Sequence, residues 1–138
     1  MRTLAVALGP LLGAALVAAP AHAERPEGHY LLHCQGCHLA DGSGKPGAVP
    51  ALPGQMGRFL EVPGGREFLV RVPGSALSPL DDGELAALLN WMLQRFGPAE
   101  VVERFPPFAA DEVARVRRPP LLDVATRRRQ LLAQVPER

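Results

Sequence analysis

His33 to Gly44 reads HCQGCHLADGSG and contains both cysteines of the 138-residue chain. Cys34 and Cys37 are separated by two residues, and His38 follows at once. Two thiols and an imidazole at this spacing suit three chemistries. A redox disulfide would close a very small loop, and that motif belongs beside a βαβ pattern, which the flanking sequence lacks. Zinc needs about four ligands, and Cys34, Cys37 and His38 supply three, with no second C-x-x-C. The third chemistry is covalent haem attachment, for which C-x-x-C-H is the signature. There the thiols add to the two vinyl groups of haem, which places them one short turn apart. The next side chain then lies beneath the iron and ligates it through imidazole. The spacing therefore favours haem c, with Cys34 and Cys37 as thioethers and His38 as the proximal ligand.

Such a motif must be carried by helices. GHYLLHCQGCH reads as a helix running into it, with Gly28 and Tyr30 six and four residues before Cys34. LADGSGKPG follows as a Gly-rich loop, and AVPALPG after that. GGREFLVRV, 64–72, predicts a short helix with Phe68 and Leu69 inward. SPLDDGELAALLNWMLQRF carries the clearest helix signal. Asp81 is its N-cap, Glu84 completes a capping box, and Asp82 adds charge to the first turn. Leu85, Leu88, Leu89 and Met92 recur on one face, and Gly97-Pro98 ends the run.

In this order the features resemble the class I cytochromes c, over residues 25–96. The resemblance implies an all-α fold, with helices around one covalently bound haem. It implies that Gly28 lets the first and last helices cross closely and that Trp91 packs on the first helix. It also makes Pro50, in the P-x-L-x-G stretch, the backbone partner of the His38 ring.

The sequence departs from that family at the sixth iron ligand. The family supplies a methionine, often Met-Pro, from the loop before the last helix. Here that place reads RVPGSALSPL, with Val72-Pro73 at the expected position and no Met, His or Lys from 72 to 78. Val72, Leu77 and Leu80 suggest an apolar wall instead. Met92 reads as core. Met56, in LPGQMGRF, lies on a loop between glycines and is the candidate distal ligand. His29 and His33 sit on the proximal helix, His33 as a surface residue, and Lys45 is remote. A Met ligand raises the potential and closes the iron, whereas an open site admits small molecules.

The chain begins MRTLAVALGPLLGAALVAAPAHA. A basic Arg2, an uncharged run and Ala21-His22-Ala23 read as a signal peptide, 1–23, cleaved after Ala23. No other segment has the ~18 apolar residues of a membrane span. Removing Arg2 turns the formal charge of +1 into zero, with 14 basic against 14 acidic residues. A neutral chain with 5% aromatic residues is a poor nucleic-acid binder.

Residues 97–138 extend beyond a minimal cytochrome and form a Pro/Arg-rich extension. Ala110 to Arg117 predicts a two-turn helix, and Asp123 caps another running to about Gln134. Arg127, Arg128 and Arg129 form a basic cluster, either a solvated face, a docking surface or a strap around the haem domain. The apolar Phe105, Phe108, Leu121 and Leu122 require the tail to pack on the core or on a partner.

These features give an exported, periplasmic, monohaem electron carrier of 24–96 plus its extension. It acts as a monomer or a subunit, between redox partners such as a periplasmic dehydrogenase or oxidase. The competing reading is a haem-based binder of small ligands with an open distal site. No distal acid–base pair of the peroxidase kind is visible.

Overall fold

A computed structural model of the chain describes residues 25–136. The expected cleavage site after Ala23 lies outside the described residues. Within them there are nine helices and no strand, only an isolated bridge from Lys45 to Val49. No helix among the described residues is long and apolar enough to cross a membrane.

The first helix, α1 (Pro26–His33), begins with Pro at a position where its missing N–H costs nothing. It breaks at Cys34, whose backbone leaves helical geometry, and resumes as α2 (Gln35–His38). The motif therefore straddles a kink between two helical pieces. Tyr30 is buried on α1, and its hydroxyl donates to the Leu39 carbonyl at 2.6 Å, across the motif. A neutral hydrogen bond of this kind is worth about 1 kcal/mol. Tyr30→Phe is therefore expected to lower stability by about 1 kcal/mol in a denaturant titration, with the haem spectrum unchanged.

The central helix is α6 (Asp82–Phe96). Its capping box forms as expected: the Glu84 N–H donates to Asp81 at 2.8 Å, and the Asp81 N–H donates to Glu84 at 2.9 Å. Leu85, Leu88, Leu89 and Met92 are all buried, each aliphatic side chain contributing about 1.5–3 kcal/mol. Tyr30 packs on Trp91 and Phe96 at ring distances of 5.4 and 5.5 Å, which fixes α1 across the end of α6. Aromatic packing, not a small residue, makes this crossing. A Cβ built on Gly28 would meet nothing within 4 Å, so Gly28 does not serve the close approach expected of it. At Gly97 a Cβ would press on the Leu93 carbonyl oxygen at 2.6 Å, so glycine is what lets the chain leave α6 sharply.

Against α6 lies α3 (Met56–Leu60), and α4 (Gly65–Arg71) packs against α3. Phe68 and Leu69 of α4 point inward as expected, and Phe68 stacks on Phe59 of α3 at 4.7 Å. A single helical turn, α5 (Pro73–Ala76), occupies the segment where the sequence showed no ligand.

The extension folds onto this core through α7 (Ala99–Val102), α8 (Ala110–Val116) and α9 (Val124–Leu132). Asp123 caps α9 by accepting from the Thr126 N–H at 3.0 Å. The helix stops at Leu132, two residues short of the expected end. Arg66 on α4 forks onto Glu112 of α8 at 2.7 and 2.6 Å and lies 4.0 Å over the Phe108 ring. Asn90 of α6 exchanges two hydrogen bonds with the Phe108 backbone. Such an amide pair is worth about 1 kcal/mol per bond. Asn90→Ala is expected to cost about 2–3 kcal/mol in thermal melts, since it also strands two backbone groups.

Candidate haem-attachment site

The Gly-rich loop after the motif turns back on itself. The Gly44 N–H donates to the His38 carbonyl at 3.1 Å, and Lys45 and Val49 pair across the turn. Gly44 has a φ of +70°, and a Cβ there would collide with the Val49 carbonyl oxygen. Only glycine fits, and the tight turn delivers Pro50 to the ring of His38. Burial holds the His38 imidazole below its ordinary pKa, while the Pro50 backbone pulls the other way. Nδ1 is the buried ring nitrogen, and it stops short of hydrogen-bond geometry.

Cys34, Cys37 and His38 share one wall of a cavity of about 270 Å³. Cys34 is half-buried and Cys37 exposed, and neither is in a disulfide. Burial, and then the neighbouring Cys37, pushes the Cys34 thiol up to about 11. A neutral thiol in an apolar wall is a poor redox or metal centre. No cluster of three or more metal-binding side chains occurs among the described residues.

The rest of the lining is almost wholly apolar and comes from distant parts of the chain. Met56, Phe59, Phe68, Val72 and Met92 contribute from α3 to α6. Met56 is buried, and it opens α3 where the sequence suggested a loop. Its N–H donates to Leu52, so it hangs from the same segment as Pro50. Of the expected apolar wall, Val72 lines the cavity and Leu80 is buried in the core, but Leu77 is 61% exposed. Leu77 points outward because α5 turns the backbone at that point. His33 is exposed at the rim, as expected.

The inward placement of two arginines of the extension escaped the sequence reading. Arg128 of α9 lines the cavity and donates to Gln55 at 3.1 Å. Arg117 is buried beneath the 75–82 segment, donating to the carbonyls of Ala76, Ser78 and Leu80 and to Asp82. The three consecutive arginines thus form no single patch. Arg127 abuts Gly64, Arg128 faces the cavity, and Arg129 stays exposed with Thr126. A signal existed for Arg128: it sits at helical spacing with the apolar Val124, Leu131 and Leu132.

An all-α chain that sets C-x-x-C-H at an apolar cavity, with a proline carbonyl behind the histidine, defines a c-type haem protein. Two relatives carry this further. Cytochrome c-552 of Thermus thermophilus is 37% identical over 102 residues, a match covering 61% of this chain and 78% of the relative. A second cytochrome c-552 from the same species matches at the same identity, over 69% of its length. No protein-family model matches the chain. The chain belongs to the class I c-type cytochromes, and its cofactor is covalently bound haem c. Members of this class are electron carriers with one haem.

Proposed function

We propose that the protein is exported and carries single electrons between periplasmic redox partners. The observation behind this reading is the cavity that gathers Cys34, Cys37 and His38 in a largely apolar lining. Cys34 and Cys37 hold the haem as thioethers, and His38 ligates the iron. When bound, the haem supplies the one-electron redox couple. The chain's contribution is to keep water out and hold the histidine ring still. Apolar walls from α3, α4 and α6 do the first, and the turn that ties the Gly44 N–H to the His38 carbonyl serves the second. A dry, rigid site keeps reorganisation small, which suits electron transfer. Partners would meet the haem edge through a small transient interface. Among them would be a periplasmic dehydrogenase or oxidase.

In the carrier reading Met56 is the sixth ligand, since its thioether already lies in the cavity wall and precedes only one turn of helix. Absorption spectra of wild type and Met56→Ala test it. A weak red band of ferric iron bound to Met sulfur is expected, lost in the variant, with carbon monoxide ignored by the ferrous wild type.

A second reading, a small-ligand binder, has its own observation. Met56 hangs from the segment that buttresses His38, and the 72–76 turn offers no ligand of its own. A ferrous protein that takes up carbon monoxide regardless of Met56→Ala would select this reading.

A further inference from the structure

We propose that Arg128 binds a carboxylate of the haem, so that α9 is a strap whose docking depends on the cofactor. The inference rests on the haem reading above and adds a role for the extension. Among the residues lining the cavity, Arg128 is the one with a full charge at neutral pH. Its hydrogen-bond partner is the neutral amide oxygen of Gln55, and no carboxylate among the described residues pairs with it. A half-buried guanidinium beside an apolar cavity is costly unless an anion meets it. Haem brings two propionate carboxylates into that cavity, and a planar guanidinium fork takes a carboxylate through two parallel bonds.

The placement of the residue is built, not incidental. Val124 and Arg128 are one turn apart on α9 and both line the cavity, while Leu131 on the same side is fully buried. The neighbouring arginines are committed elsewhere, Arg127 against Gly64 and Arg129 to Thr126. Gln55 stands at the N-cap of α3 and holds the guanidinium at the cavity wall. Arg128 is a positioning residue for the haem and, in turn, the haem is what fastens α9.

The test uses the haem-loaded protein and the variants Arg128→Leu and Arg128→Lys. Hydrogen exchange by mass spectrometry follows residues 124–132, and a redox titration from pH 5 to 9 follows the midpoint potential. In Arg128→Leu, exchange over 124–132 is expected to rise about tenfold, the loss of one charge-assisted contact. Exchange over 82–96 stays unchanged, which excludes global unfolding. The midpoint potential falls, because a cation favouring the reduced haem is gone. It also gains a pH-dependent step, because a released carboxylate now titrates within the range. Arg128→Lys keeps the charge without the fork and is expected to restore the potential more than the exchange protection.

Faster exchange with an unaltered potential and pH profile would reduce Arg128 to a packing residue and overturn the proposal. A wild-type potential that moves with added phosphate would assign Arg128 to a soluble anion instead, which also overturns it. Absence of haem in a pyridine haemochrome assay would sink the haem reading itself, and the proposal with it.

Discussion

The double variant Cys34→Ala/Cys37→Ala is expected to keep no haem through denaturing electrophoresis, and its folded state is expected to depend on added haem. The cavity is the reason. It measures about 270 Å³ and is partly open, so without haem its apolar walls are left facing water, at about 25 cal/mol per Å² of apolar surface. Whole domains are stable by only about 5–15 kcal/mol. Covalent attachment keeps that space filled at any dilution. Without the thioethers, haem is held by His38 and the apolar walls, and stability follows mass action. The far-UV circular dichroism of the haem-free variant is therefore expected to show little helix. Titrating haem restores it, and the thermal midpoint climbs with haem concentration. Adding His38→Ala to the double variant removes that rescue. A haem-free double variant with native helix content and a haem-independent midpoint would show that the cofactor is not part of the core.

Much of this architecture was legible in the sequence, and the reason is local. The capping box at Asp81 and Glu84, the leucine stripe of α6 and the Gly-rich turn after His38 are each specified within a few residues. So is the heart of the site, since Cys34, Cys37 and His38 are neighbours in the chain. What was not legible depends on contacts between distant residues. The α3 and α5 turns hold four or five residues each and are stabilised by packing more than by propensity. Arg117 and Arg128 stand among eight arginines after Gly97, and composition does not say which of them face inward. The Gly28 expectation failed because the tilted stack of Tyr30, Trp91 and Phe96 spaces the helices instead. Leu77 failed because a one-turn helix reverses which side chains face the cavity. The errors lie where tertiary packing overrides local pattern, at Gly28, Met56 and Leu77 in the core as well as at the inward arginines of the extension.

Arg117→Leu is expected to cost about 3–5 kcal/mol, the largest loss of any single substitution in the extension. Arg117 is 6% exposed. Its guanidinium serves the carbonyl of Leu80 at 2.8 Å, that of Ser78 at 2.8 Å and that of Ala76 at 3.2 Å, with Asp82 at 2.9 Å. Leucine fills part of the space but donates nothing. Three buried or half-buried carbonyls lose their donor, each at about 1–3 kcal/mol before relaxation. A drop in thermal midpoint of at least about 10 °C follows for a chain of this size. The ion pair is the smaller part of this. Asp82 is 40% exposed, and solvent-screened pairs are worth about 0–1 kcal/mol. Asp82→Asn should therefore change stability little, and Arg117→Lys should recover only a fraction, since one ammonium cannot span the carbonyls that a fork reaches. The carbonyls in question belong to the last residue of α5 and the turn that follows it, beside the Val72 wall of the cavity. Releasing them frees the segment that closes this side of the cavity. Imidazole or cyanide should then bind the ferric protein faster in Arg117→Leu than in wild type, at a temperature where both remain folded. If Asp82→Asn matched Arg117→Leu in its stability loss, the ion pair and not the carbonyl cage would be what holds the segment down.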